Sequence, residues 1–159
     1  VVRHVSVAES PQVGVESRRR RMPMPIQFHP KPGTLLFCDF GTGFRPPEIV
    51  KKRPVVVLSK SHQQLATVVP ISTTTPIRIE EWHHQLDPKS IPQGMRQGSL
   101  PHWAKCDIIM TVGFWRLDRV KTGKHPTTGK RMFVTHVICR EDLIAIRRAV
   151  SKVLGLLSN

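Results

Sequence analysis

A chain of 159 residues with 25 Lys and Arg against 11 Asp and Glu carries a formal charge of +14, and its length suits one compact domain rather than two. Cys38, Cys106 and Cys139 are odd in number and form no CxxC pair, which argues against a disulfide framework or a zinc ribbon and fits a reducing cytoplasm. The longest apolar runs, PVVVL and DIIMTV, fall short of a membrane span, and the first twenty residues lack the apolar stretch of a signal peptide. The expectation is a cytoplasmic protein with no membrane partner.

Residues 1–29 lack periodicity, carry the run RRRR and are rich in Pro toward their end, so they are expected to form a disordered basic tail. Through residue 30 the net charge is +3, which leaves +11 for the domain expected over residues 30–159. A domain with that field draws polyanions, nucleic acid first.

Gly33 opens TLLFCDF, a first strand stopped by the Gly- and Pro-rich loop GTGFRPP. RPVVVLS and QLATVVPIS then read as a β-hairpin buried on at least one face, because aliphatic residues run almost without interruption. PIRIE alternates and reads as a fourth strand with Arg78 and Glu80 outward. Residues 81–102 are irregular and long for a loop, and long loops are commonly functional or disordered. Strand character returns in WAKCDIIMTV, weakly in FWRLDRV, and again in RMFVTHVIC after a turn-rich KTGKHPTTGK. At the end, Leu143, Ile146, Val150, Val153 and Leu157 step by three and four, the stripe of an amphipathic helix with acids first and bases later. Short strands followed by one helix, with no helical crossover between strands, predict a mainly β protein of small-barrel or half-open form.

P-loop, GxGxxG, HExxH and GxSxG motifs are all missing, so nucleotide, zinc-protease and hydrolase-elbow chemistries lack their usual residues. His83 and His84 are adjacent and would face opposite ways on a strand, with no partner at ligand spacing, so neither a metal site nor any other cofactor is expected. What remains is a set of polar groups at strand edges. Arg53 enters one strand, Ser72, Thr73, Thr74 and Thr75 leave the next, and Lys105 and Asp107 lie two apart in a third, where they would share one face. Taken singly, each is an ordinary surface residue. Collected in one pocket they would supply a base, cations and hydroxyls, a set suited to phosphodiester cleavage without a metal.

PGTLLFCDF, EIVKKRPVVVLS, TVVPISTTT and AKCDIIMTV, in that order, resemble the MazF/PemK/Kid family of toxin-antitoxin ribonucleases. The resemblance covers about residues 30 to 120. It implies an SH3-like small barrel of α+β type with a C-terminal helix, a homodimer, and sequence-specific cleavage of single-stranded mRNA to 2′,3′-cyclic phosphate and 5′-OH ends. It also implies a cognate antitoxin partner. Carried over by position, Arg53 would neutralise the phosphate, Asp107 would act as base, and Lys105 would stand for the usual Arg as proton donor or charge stabiliser. Ser72 or Thr73 would supply the hydroxyl, and Glu48 matches the acid ahead of the loop. Two departures stand out: Thr34 replaces an acid common after the leading Gly, and Pro47 stands where Kid-like members have a loop His.

Lys51 and Lys52 are expected to steer RNA, and Phe44, Trp82 and Thr74 to contact it, the aromatics by stacking on unpaired bases. Two other readings keep the residues but not the chemistry. One is a partner-binding member of the same fold, like the gyrase poisons; the other is a basic nucleic-acid-binding module.

Overall fold

The computed structural model describes residues 26–59, 63–95 and 100–157. Ten strands lie among them: β1 (Thr34–Cys38), β2 (Arg53–Ser59), β3 (Leu65–Ser72), β4 (His83–Gln85), β5 (Trp103–Lys105), β6 (Met110–Gly113), β7 (Leu117–Asp118), β8 (Val120–Lys124), β9 (Arg131–Val134) and β10 (His136–Val137). One helix, α1 (Arg140–Val153), closes the chain. The main sheet runs β10-β1-β2-β3-β5-β4, with β7 also on β1 and β6 also on β3, while β8 and β9 form a separate ribbon.

The mainly β architecture with one C-terminal helix is the one expected from the sequence. Its two ends, β10 and β4, are not hydrogen-bonded to each other, so the sheet is not closed into a barrel.

The uninterrupted aliphatic runs are explained by burial on both faces. Leu35, Val56, Leu58, Val69 and Ile71 belong to a core shared with Ile146 and Ala149 of α1, whereas Leu36, Val55, Val57, Ala66 and Val68 belong to a second core beneath Val112 and Leu117. Successive strand residues point to opposite faces. A strand covered on both sides therefore has no polar register to keep.

Gly33 enters β1 with φ +85, a backbone conformation side chains disfavour, and its N–H donates to the Val57 carbonyl at 2.7 Å. On α1 the buried residues are Asp142, Ile146 and Ala149, with Leu143 and Val150 at the margin. Burial of Ile146 contributes about 2 kcal/mol. Val153 and Leu157, expected on the same stripe, are exposed because the helix stops at Val153.

Two other expectations are corrected. PIRIE is not a strand: Ile77 and Ile79 are exposed, and Arg78 pairs with Glu80 at 2.8 Å in a segment without sheet partners. WAKCDIIMTV is two strands. β5 and β6 share one edge of β3, but continuing the Ile71↔Ala104 register would set Asp107 opposite Val68, and Met110 is found there instead. Cys106 to Ile109 are looped out, which spares a carboxylate from lying against the fully buried Val68.

The tail expected over residues 1–29 lies outside the described residues as far as residue 25. Ile26 is buried and Phe28 packs on the second core.

The long 81–102 segment is partly ordered by β4 and by two 3-10 turns, Pro88–Ser90 and Gln93–Met95. At Gly94 a Cβ would come within 2.0 Å of the Lys121 carbonyl oxygen, so this segment is pressed against β8 backbone to backbone.

Candidate functional site

The Val55↔Pro70 register of β2 and β3, continued by two residues, sets Arg53 opposite Ser72. Both lie on the row of Val55, Val57 and Val68, which leaves the second core where the strands reach the surface. On the neighbouring strand, Lys105 lies two residues beyond Trp103, which pairs with Ser72, so it takes the same face. The loop ahead of β2 closes the remaining side. The result is a cavity of about 290 Å³ whose polar wall is Glu48, Lys51, Arg53, Ser72 and Lys105, with Pro70, Ile71 and Ile108 as apolar lining.

The electrostatics of this hollow are one-sided. Among the described residues the side chains of Lys51, Arg53 and Lys105 make no hydrogen bond or ion pair, whereas Lys52 pairs with Asp118, Arg78 with Glu80 and Lys152 with Glu81. Glu48 is the lining carboxylate; its Oε2 accepts from the Arg45 N–H at 2.8 Å, while the Glu48 N–H donates to the Arg45 carbonyl, a reciprocal turn that fixes the loop. Ser72 Oγ accepts from the Thr74 N–H at 3.1 Å, which leaves its own proton available. Such a hollow is built for an anion, and three donors with one acceptor can grip a phosphodiester and move a proton beside it.

Six of the residues proposed from sequence do not line the cavity. Asp107 is exposed on the looped-out turn, so its expected strand alternation with Lys105 does not exist. Thr73 and Thr74 continue past the cavity edge, Thr74 contributing its backbone N–H to Ser72. Lys52 turns the other way, to Asp118 Oδ2 at 3.1 Å and over the Phe37 ring at 5.7 Å. Trp82 packs against the α1-side core. Phe44 stands edge-on to Phe40 with centroids 5.5 Å apart and carries the Arg116 guanidinium at 4.9 Å.

Sequence reasoning missed a second polar cluster, beneath α1. Asp142, buried, accepts from Ser90 Oγ at 2.5 Å and from the Asp87 N–H at 3.0 Å, and its other oxygen meets His84 Nε2 at 2.7 Å. Cys139 N–H donates to Ser90 Oγ at 2.9 Å. Burial pushes the Asp142 carboxyl up, but the bonds from Ser90, His84, Cys139 and Asp87 outweigh it and hold the group below the ordinary carboxylate value. Asp142 is readable from sequence only as a first-turn acid; of its partners, Ser90, Asp87 and His84 are more than 50 residues away in the chain.

Burial pushes the thiols of Cys38 and Cys106 up to about 12, so neither supplies a thiolate at neutral pH. Among the described residues no group of three or more His, Cys, Asp or Glu could hold a metal ion, and no helix is long and apolar enough to cross a membrane.

Residues 31–154 match the family described as PemK-like, MazF-like toxin of type II toxin-antitoxin system. The chain belongs to that family. It is 30% identical over 139 residues to a protein of Haemophilus influenzae, covering 81% of this chain and 92% of the relative. It is likewise 30% identical over 156 residues to YifN of Escherichia coli strain K12, covering 85% and 98%.

Among solved structures, it resembles an endoribonuclease in complex with its cognate antitoxin from a mycobacterial species, with TM-score 0.52 and 19% identity over 82% of this chain and 99% of that one. It also resembles MazF from Deinococcus radiodurans, with TM-score 0.53 and 16% identity over 80% and 98%. At these identities the structural likeness establishes the fold. The MazF-like toxin family comprises endoribonucleases partnered by antitoxins.

Proposed function

We propose that this protein is a sequence-specific endoribonuclease toxin that cleaves single-stranded RNA in the cavity between the β2 entrance, the β3 exit and β5. The observation that carries the reading is the gathering of three unpaired cations, a hydroxyl and one carboxylate around a space that takes a single phosphodiester. Arg53, held by the rigid start of β2, offers a planar donor fork to the phosphate oxygens, and Lys51 and Lys105 add charge.

In the proposed reaction the ribose 2′-oxygen forms a bond to the adjacent phosphorus while the P–O5′ bond breaks. The 2′-hydroxyl proton passes to Glu48, and the departing 5′-oxygen takes a proton from Lys105, leaving a 2′,3′-cyclic phosphate and a 5′-OH. The Ser72 hydroxyl donates to a phosphoryl oxygen. Assigning the base to Glu48 rather than Asp107 follows the lining of the cavity.

An antitoxin partner accords with the mycobacterial complex, and exposed Ile144, Leu154, Leu156 and Leu157 offer apolar surface for a homodimer. The displacement of Asp107 onto an exposed turn favours the rival reading of a non-catalytic binder. Incubation of single-stranded transcripts with the dimeric protein in EDTA, followed by end-mapping, separates the two. Fragments with cyclic phosphate ends are expected, lost in Glu48→Gln and retained in Asp107→Asn; intact transcripts would support the binder.

A further inference from the structure

The 41–52 loop leads, through Phe44, to a ladder of alternating ring and cation. Phe44 carries the Arg116 guanidinium at 4.9 Å, and the same guanidinium lies 4.1 Å from the Trp115 ring while donating to the Asp39 carbonyl at 3.1 Å. Trp115 is held in place by a second contact: its Cδ1 and Nε1 stand 2.7 Å from where a Cβ at Gly113 would be, so only glycine lets the indole lie on that backbone. Trp115 is nonetheless 44% exposed. A large aromatic that is fixed and left open is prepared for a planar partner.

Beyond Trp115 lies a second cavity, of about 360 Å³, within the roughly 300–1,000 Å³ range of small-ligand pockets. Its walls are Phe28, His29, Phe114 and Trp115, with the amides of Gln63 and Gln64 at the rim. His29 stands edge-on to Phe114 with centroids 5.3 Å apart, so the aromatic wall is itself packed. Among the described residues no carboxylate lines this space, which is bounded by rings, by Ile26 and by side chains that can both donate and accept hydrogen bonds. Phe28 and His29 precede residue 31, where the family match begins, so this part of the wall lies outside the segment that the family description covers.

We infer that the pocket walled by Phe28, His29, Phe114 and Trp115 is a subsite for an unpaired nucleobase of the RNA strand whose phosphate occupies the Arg53 cavity. The subsite rests on the ribonuclease reading for the source of the strand but not for its own recognition chemistry. Unpaired bases stack on aromatic faces, and an amide side chain can address a base edge. The Arg116 cation beneath Trp115 strengthens the electrostatic pull on the intervening backbone. The pocket sets a flanking-base preference and leaves the cleavage step to the cavity.

The test uses the full chain and single-stranded oligoadenylate and oligouridylate of roughly 12 nucleotides, 2′-O-methylated so that binding is read without cleavage. Fluorescence anisotropy should show that Trp115→Ala weakens binding by about 10-fold, whereas Trp115→Phe, which keeps a ring, retains most of the affinity. Intrinsic fluorescence should fall when the wild type binds, and this quench should vanish in Trp115→Phe while affinity persists. Cleavage of a dinucleotide too short to reach the pocket should be equal in wild type and Trp115→Ala.

Unchanged affinity in Trp115→Ala, with no quench in the wild type, overturns the subsite even if transcripts are cut. A drop in oligomeric mass on light scattering, with RNA affinity intact, would assign the pocket to protein contact and also overturn it. RNA that binds with the expected quench yet is never cut would sink the ribonuclease reading and leave the subsite standing.

Discussion

Two polar clusters sit on opposite faces of the same sheet, and they are wired in opposite ways. Beneath α1, the Asp142 carboxylate is enclosed and accepts bonds from Ser90, His84 and Asp87, with its negative charge met on every side. At the β2 entrance, Lys51, Arg53 and Lys105 surround an open cavity and meet no partner among the described residues. A satisfied buried charge stabilises one arrangement of the chain and is costly to disturb. Cations held together without partners cost stability through mutual repulsion, and that cost is retained where an anion from outside relieves it. The difference separates a staple from a binding site more surely than residue type does, since either cluster read from sequence is a scatter of ordinary polar residues.

Three substitutions press on that contrast. Arg53→Ala should lower RNA cleavage by about 10²–10³-fold while thermal unfolding stays at or above the wild-type temperature, because an unpaired cation is removed; a folded variant with full turnover would dissolve the distinction.

Asp142→Asn should do the reverse, destabilising the fold by roughly 3 kcal/mol in denaturant titrations with little change in turnover per folded molecule. Its pH dependence follows from the sign of the shift. The folded carboxyl is held below its unfolded value, so its stabilisation is complete above an ordinary carboxyl pKa of about 4 and is lost as pH falls through the folded value. Wild type and Asp142→Asn should therefore converge in stability in strong acid and diverge above it.

Lys52→Ala should matter least. Its pairing with Asp118 is partly exposed to water, and its removal should cost about 0.5–1 kcal/mol and leave cleavage close to wild type.

Legibility in the sequence followed the strength of the physical signal. The aliphatic runs of β2 and β3 were readable because strands buried on both faces suppress polar residues, and β1 was readable because Gly33 and the 41–47 loop punctuate it. Arg53, Ser72 and Lys105 could be singled out by their places at strand ends, but their convergence depends on the β2-β3 and β3-β5 registers. Asp107 illustrates the limit. A three-residue slip between β5 and β6, which keeps a charge away from Val68, is invisible in WAKCDIIMTV, where apolar residues on both sides of Asp107 read as one continuous strand. PIRIE failed for a related reason, since alternation describes a strand only where a neighbouring edge is available to pair. Trp115 and Phe28 left no signal at all, because an aromatic wall assembled from distant segments has no local spacing.

The contact at Gly94 bears on how such a small protein keeps a long irregular segment in place. Backbone meeting backbone without an intervening side chain joins residues 93–95 to the β8 ribbon as closely as atoms allow. The segment from β4 to residue 95 is thus anchored at its far end as well as by its strand pairing, and the β4-β5 platform behind Lys105 is settled before any substrate arrives. Binding then spends little entropy on arranging the host, so that the affinity for a flexible polyanion is limited by the freedom the guest itself must surrender.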